Sequence, residues 1–214
     1  MDAPTQETPE EFEARRRAAE DLAAAVRALA DAAVGTAVDP AVVRGTADAV
    51  RALAARLGAR TTDDPYADLV RRPVDPAVPQ DPMPINPIIG DCSPTRPDVT
   101  LGYRDGEVHG RACLTRRFTG PPGFAHGGIT AMLADQIVAV TPGAAGRRGA
   151  ITKSLAVRYR RPVPIGHELT LWGVCTPDGD DMTARFTISV ADDLAIEGTA
   201  VLVPFDRMRT RRGA

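Results

Sequence analysis

A histidine and two glycines stand where a helix is predicted to begin, and helix starts can bind ligands through their backbone. Residues 120–140 read GPPGFAHGGITAMLADQIVAV, so a Pro/Gly turn precedes His126, Gly127 and Gly128. The first N–H groups of a helix have no intrahelical partner and lie at the positive end of its dipole. Glycine leaves room beside those donors for a ligand oxygen. The segment therefore predicts a site for a carbonyl or anionic ligand.

Asp135 adds a carboxylate to the same predicted helix. It follows Gly128 by seven residues, roughly two turns, so the two project from about the same side. Taken alone, an aspartate in such a helix is more often a surface group than a catalytic one. Pro142 is expected to end the helix. The apolar residues that recur at helical spacing, and that we expect to be buried on another side, are Ile129, Met132, Leu133, Ile137 and Val140.

Composition excludes several classes of function. The chain has 214 residues, a net charge of -2 and a pI near 5.9, which gives no electrostatic footprint for nucleic acid. Its three cysteines form no CxxC pair and its three histidines are scattered, so we expect no metal site. No apolar window is long enough for a membrane span and no signal peptide is indicated. We therefore expect a soluble, cytoplasmic protein with reduced thiols, and Cys113 and Cys175 in the core.

The first 60 residues predict an α-helical N-terminal extension made of two helices. The first begins with a capping box at Thr8-Pro9-Glu10-Glu11, and the second runs from Asp39-Pro40 to Gly58. Their apolar seam is thin and alanine-rich, which gives little area to bury. We expect this hairpin to dock on the main domain or on a partner subunit. The seam residues are Phe12, Leu22, Val26, Leu29, Val43, Val50, Leu53 and Leu57.

Residues 61–84 predict a proline-rich connector, and residues 206–214 predict a solvated basic tail. Nine prolines lie between Pro65 and Pro97. Because proline lacks the N–H that sheets and helices need, we expect an irregular, extended segment there.

From Val99 onwards the pattern changes to short strands on both sides of the one helix. Alternating apolar and polar residues bounded by turn residues predict an α+β fold, an antiparallel β-sheet wrapped around one long central helix. The predicted strands are Val99–Tyr103, Val108–Arg116, Ile151–Arg161, Glu168–Thr176, Met182–Ala191 and Ala195–Pro204.

These motifs resemble the PaaI-type hotdog-fold acyl-CoA thioesterases over residues 85–205. The resemblance rests on GPPGFAHGG, on ITAMLAD and on the later block ITKSLAVRYRRPVPIGHEL. It implies a hotdog thioesterase domain that hydrolyses an acyl-CoA, or a related acyl thioester, to the free acid and thiol. It also implies a homodimer, with a tetramer as a further option. Coenzyme A would be part of the substrate, and no other cofactor is expected.

The resemblance also implies roles for individual residues. His126, Gly127 and Gly128 match the HGG motif, whose backbone N–H would polarise the thioester carbonyl as an oxyanion hole. Asp135 matches the general base or nucleophile, and Thr152 matches the hydroxyl that orients the water. In related enzymes these groups meet across a two-fold dimer. Some relatives have an asparagine where this chain has Gly120, so that amide is absent here.

Several alternatives stay open at this point. His126 has either a direct role or a structural one that fixes the turn. Arg158, Arg160 and Arg161 either form a solvent-facing stripe or hold the phosphates of coenzyme A. The competing function is a non-catalytic hotdog module that binds an acyl thioester or acts as an assembly subunit. A hydratase-type Asp/His pattern is not found.

Overall fold

A computed structural model describes residues 7–70, 73–147 and 149–205. The predicted basic tail at 206–214 lies outside the described residues. Within them, no helix combines the length and the hydropathy needed to cross a bilayer. The elements are α1 (Pro9–Gly35), α2 (Pro40–Gly58), α3 (Pro65–Leu69), β1 (Asp98–Arg104), β2 (Glu107–Cys113), a 3-10 turn (Arg116–Phe118), α4 (Gly127–Ala144), β3 (Ala150–Tyr159), β4 (Glu168–Asp178), β5 (Asp181–Val190) and β6 (Asp193–Pro204).

Six strands form one antiparallel sheet in the order β1-β2-β4-β5-β6-β3, and the sheet wraps around α4. Side chains alternate across it, so that Phe186 and Ile188 of β5 are buried against α4 while Arg185 faces outward. This architecture confirms the predicted hotdog fold. Strands β1 and β3 are the two edges of the sheet.

Helix α4 is buried along the side that faces the sheet, where Leu133, Ala134, Ile137 and Val138 are fully inaccessible. The prediction was wrong for Met132, which is 44% exposed. At 100° per residue, position 132 points about 100° away from Leu133, and the sheet does not cover that side of the helix.

The prediction that Pro142 ends the helix was also wrong, because α4 continues to Ala144 with the proline inside it. A proline in a helix cannot donate to the carbonyl four residues earlier, which here is that of Val138. The Thr141 hydroxyl donates to that carbonyl instead, at 2.7 Å. Thr141 and Val138 are both fully buried, so this bond satisfies an acceptor that water does not reach.

Two segments differ from their predicted extent for local reasons. Strand β2 ends at Cys113, and Arg116, predicted at its end, lies in the 3-10 turn. The predicted irregular connector contains the short helix α3, in which Asp64 caps the first turn by accepting the Ala67 N–H at 2.9 Å. Pro65 occupies the first helical position, where its missing N–H costs nothing.

Helix α1 docks on the hotdog domain through arginines rather than through a large apolar surface. Its predicted capping box is confirmed, since Thr8 and Glu11 bond each other's backbone. Arg16 is 1% exposed and donates to Glu20 and to the Leu69 carbonyl. From the domain side, Arg117 donates to the Arg27 carbonyl at 2.9 Å and pairs with Asp31 at 3.1 Å.

The Thr141 hydroxyl should be needed to satisfy the Val138 carbonyl only because Pro142 has no N–H to donate to it. We expect Thr141→Val to lower the free energy of unfolding by about 1–3 kcal/mol, the cost of a buried unsatisfied carbonyl. In a Pro142→Ala background the restored N–H can reach Val138, so the same substitution should cost less than half as much. Urea denaturation of the four proteins measures both values. Equal costs in the two backgrounds would contradict this account.

Candidate functional site

The start of α4 is built around the His126 side chain. His126 is the N-cap residue, with extended backbone angles (φ -65°, ψ 132°), and its Nδ1 accepts the Gly128 N–H at 3.0 Å. This bond supports the structural one of the two roles that the sequence left open for His126. The Gly128 N–H is already bonded within the chain.

One N–H group at this helix start has no acceptor within the described residues, and it belongs to Gly127. The next two amides, of Ile129 and Thr130, donate to the His126 carbonyl at 3.0 and 3.2 Å. Of the three residues that the sequence predicted for the oxyanion hole, only Gly127 thus offers a free backbone donor. That donor lies at the positive end of a helix of 18 residues.

Tyr159 fixes the turn from the opposite side, a role that no motif in the sequence indicated. Its hydroxyl donates to the Gly127 carbonyl at 3.0 Å, and Thr130 Oγ1 donates to the same oxygen at 2.9 Å. The peptide between Gly127 and Gly128 is therefore held at its carbonyl by Tyr159 and at its N–H by His126. Two adjacent glycines would otherwise leave this backbone free to rotate. The available signal was strand alternation, which places Tyr159 on the side of β3 opposite Arg158.

Asp135 lies half-buried on α4 and has no hydrogen-bond or ion-pair partner among the described residues. Eight residues separate it from Gly127, which corresponds to about 12 Å along the helix axis. Thr152 is farther away, because Tyr159 is bonded to Gly127 and seven strand residues span about 23 Å. A single chain therefore does not bring the predicted Gly127, Asp135 and Thr152 together.

The side of α4 that carries Asp135 is the side that the sheet leaves uncovered. Gly128, Met132, Asp135 and Ala139 recur there at intervals of four, three and four residues, and none of them is fully buried. This spacing places small and apolar groups in one line with the carboxylate, as in the seams by which helices pair.

Gln136 is held by a bond that the sequence did not reveal. It is 7% exposed, and its Oε1 accepts from Asn86 Nδ2 at 2.8 Å. The Asn86 Oδ1 in turn accepts the N–H groups of Ile88 and Ile89. This bond ties the end of the proline-rich segment to the residue next to Asp135.

The three arginines predicted for phosphate binding fall into two places. Arg160 and Arg161 border a cavity of about 260 Å³ that Tyr159 and Thr130 also line, beside the start of α4. Arg160 is paired with Glu197, and Arg161 with Asp193 at 2.7 Å.

Arg158 lies on the outer face of the sheet instead. There it lines a separate groove of about 560 Å³ together with Trp172 and Arg185. Glu197 lies opposite Arg158 on the neighbouring strand, lines the same groove and pairs with Arg160, so it connects the two places.

Cysteine and metal chemistry find no support among the described residues. Cys175 is buried as predicted, but Cys113 is only half-buried, because it lies on the outer face of β2. Burial, followed by the charges of Asp98 and Glu168, raises the pKa of the Cys113 thiol. A raised pKa disfavours the nucleophilic thiolate. No group of three histidine, cysteine or acidic side chains is placed to hold a metal ion in the ranges that the structure describes.

Comparison with known proteins gives a fold shared with thioesterases and a family-model match over part of the chain. Residues 122–179 match the family model described as the thioesterase superfamily. The crystal structure of a thioesterase superfamily protein is 28% identical with a TM-score of 0.73, and the match covers 86% of this chain and 94% of that one. Because 86% exceeds the share occupied by residues 85–205, this similarity extends into the N-terminal helices. The predicted resemblance to hotdog thioesterases is confirmed.

Two shorter proteins of known structure are also similar to the chain. A thioesterase superfamily protein from Shewanella loihica is 24% identical, with 50% of this chain and 90% of that one covered and a TM-score of 0.44. A mutant of the phenylacetic acid degradation protein PaaI from Thermus thermophilus is 21% identical, with 50% and 93% covered and a TM-score of 0.46. A search of curated proteins gives no match.

The Tyr159 hydroxyl should be what keeps the peptide between Gly127 and Gly128 in place. We expect Tyr159→Phe to speed hydrogen exchange of the Gly128 amide by about fivefold, as loss of a bond worth about 1 kcal/mol implies. Amide exchange followed by NMR measures this. Tyr66→Phe, which removes a hydroxyl bonded to the Pro82 carbonyl, is the matched control and should leave Gly128 unchanged. An unaltered Gly128 rate in Tyr159→Phe would show that the bond has no such role.

Proposed function

We propose that this hotdog-fold chain, which matches the thioesterase superfamily over residues 122–179, hydrolyses an acyl-CoA thioester. The observation that carries the proposal is the pair of unused groups on α4. These are the Gly127 N–H, which has no acceptor among the described residues, and the Asp135 carboxylate, which has no partner there. Ester and thioester hydrolysis require such a pair, a donor for the developing oxyanion and a base for water.

The active site is proposed to form between two copies of the chain. In one copy the donor and the carboxylate are about 12 Å apart along the helix, too far to act on one carbonyl carbon. Two α4 helices that pack antiparallel about a two-fold axis would bring Asp135 of each copy towards Gly127 of the other. The uncovered Gly128 and Met132 support this packing, since glycine allows helices to approach closely.

In the proposed reaction, the Gly127 N–H donates to the thioester carbonyl oxygen and stabilises the negative charge that forms on it. Asp135 of the other copy removes a proton from water, and the water oxygen bonds to the carbonyl carbon. Thr152 orients that water. Collapse of the tetrahedral intermediate breaks the C–S bond, and the thiolate leaves with the electron pair. The thiolate takes up the proton that Asp135 removed from water, which gives the thiol and restores the carboxylate. The products are the free acid and the thiol, and His126 and Tyr159 hold the donor in place throughout.

The substrate class is proposed from the charge beside the helix start. The cavity bordered by Arg160 and Arg161 adjoins the turn that presents Gly127, and phosphates of coenzyme A could replace Glu197 and Asp193 as their partners.

Three free cysteines are compatible with the predicted cytoplasmic location, where thiols stay reduced.

Loss of either unused group should abolish hydrolysis while the fold is kept. We expect Asp135→Asn and Gly127→Pro each to lower kcat/KM for acyl-CoA by at least about a hundredfold, the usual cost of losing a base or an oxyanion donor. Proline suits the first helical position, and the extended ψ of His126 is compatible with a following proline, so Gly127→Pro removes little besides the N–H. Gly127→Ala keeps the donor and is the matched control.

Mixing the two inactive variants tests whether the site is shared. Random exchange of subunits makes half of the dimers mixed, each with one intact site, so activity should return to about one quarter of the wild-type value. Thiol release from a panel of acyl-CoAs, followed with a thiol reagent, measures all of these proteins. Wild-type rates in Asp135→Asn would exclude the catalytic role. No thiol release from any acyl-CoA by the wild-type protein would favour a non-catalytic module.

Arg161 should contribute to the binding of an acyl-CoA but not to that of the shorter acyl-pantetheine. We expect Arg161→Ala to raise the KM for an acyl-CoA by about fivefold, since a phosphate contact of about 1 kcal/mol is lost, and to leave the KM for the matching acyl-pantetheine unchanged. Arg158→Ala, in the groove on the outer face, is the control and should change neither value. Equal effects of Arg161→Ala on both substrates would argue against a phosphate contact.

A further inference from the structure

The N-terminal hairpin carries apolar residues that this chain leaves exposed. Helix α1 uses one side for the domain, where Arg16 and Ala23 are buried, but α2 has no buried residue at all. Within the described part of the chain, the side-chain hydrogen bonds and ion pairs of α2 stay inside the helix and its N-cap. The exposed apolar residues on the hairpin, 36–60% accessible, are Leu22, Val26, Leu29, Val34, Val38, Val42, Val43, Val50, Leu53 and Leu57.

Four of these residues, Leu29, Val38, Val43 and Val50, line one groove. An apolar groove of about 470 Å³ separates the two helices, and Leu29 and Ala33 of α1 line it opposite Val43, Ala47 and Val50 of α2. The helices therefore do not close against each other along this length. A groove of this kind can take one further helix between its walls.

The spacing on α2 is symmetric about its middle. Val43, Val50 and Leu57 recur every seven residues, and Val50 lies next to the centre of the helix Pro40–Gly58. In an antiparallel pair of α2 helices related by a two-fold axis, Val50 would face Val50, and Val43 would face Leu57. The apolar seam of α2 is thus complementary to itself.

The charges of the two helices are complementary as well. Helix α1 contains six acidic and four basic residues, a net charge of -2, whereas α2 contains three arginines and one aspartate, a net charge of +2. Of the α2 charges, Arg51 borders the groove and is already paired with Asp48 at 2.6 Å. A second α2 placed in the groove would lie beside an α1 of opposite charge, which offsets the like charge of the first α2.

We propose that α2 is an interaction surface for a second copy of this chain, with each α2 seated in the groove of the other hairpin. The result is an antiparallel four-helix arrangement with the two α2 helices at the axis. This contact is separate from the α4 pairing proposed above, and it does not depend on thioester hydrolysis. It explains why an alanine-rich hairpin with a thin seam keeps its large apolar residues on one surface.

Disulfide trapping tests this arrangement. In a Cys113→Ser background, which leaves only the two buried native cysteines, Val50→Cys should form a covalent dimer under mild oxidation at least about tenfold faster than Ala52→Cys. Ala52 lies two residues away on the opposite side of α2. Chains with Val43→Cys mixed with chains carrying Leu57→Cys should also cross-link, faster than either variant alone.

Non-reducing electrophoresis and mass spectrometry of the cross-linked peptides give the rate and the connected residues. Circular dichroism confirms that each variant is folded. Equal rates for Val50→Cys and Ala52→Cys, or no covalent dimer with either, would overturn the proposal. The proposal would also be overturned if Val50→Cys chains that carry Leu53→Asp and Leu57→Asp as well cross-link as fast as Val50→Cys chains without them. Thiol release by the same proteins is read independently, so failure of the hairpin contact and failure of the proposed activity are distinguishable.

Discussion

The burial of α4 inside a curved antiparallel sheet is the constraint on which the rest of the structure depends. The sheet covers the helix on the side of Leu133 and Ile137, which are fully inaccessible, and leaves the side of Met132 and Asp135 open. A helix enclosed in this way cannot satisfy its ends with water at every position. The chain therefore supplies a partner for almost every backbone group at the helix termini.

The partners of these backbone groups leave one donor of the helix start free. At the C-terminal end, the Thr141 hydroxyl satisfies the carbonyl that Pro142 leaves without a donor. At the N-terminal end, His126 takes the Gly128 N–H and Tyr159 takes the Gly127 carbonyl. The Gly127 N–H alone is left over in this turn among the described residues. An unpaired donor in an otherwise fully bonded and restrained turn is pre-organised for an oxyanion, because no rearrangement is needed when charge develops.

Two uncovered surfaces carry the two contacts proposed with a second copy. The open side of α4 carries the carboxylate, and the open groove of the hairpin carries apolar residues that α1 and α2 do not bury within one chain. The hairpin is anchored by arginine contacts such as those of Arg117 with α1, which fix its position without covering its apolar side. These contacts thus set the position of the hairpin whose exposed face is proposed to meet a second copy.

The sequence by itself determined the order of elements, the wrapped sheet and the helix start, because these depend on local signals. Proline, glycine and capping residues mark where segments begin, and strand alternation assigns the two faces of β5. Local signals could not place Met132, which has a helical spacing suited to burial but no sheet above it. They also could not show that Pro142 stays in the helix, since that depends on the hydroxyl beside it.

The tertiary structure decided how the site is built. Tyr159 reaches Gly127, and Asn86 reaches Gln136, over separations of 32 and 50 residues that no local pattern encodes. It also placed Glu197 opposite Arg158 and paired it with Arg160, over a separation of 37 residues from Arg160. The residue types and their spacing along the chain determine which chemical groups are available. The distances between those groups are set by how the helix and the sheet pack.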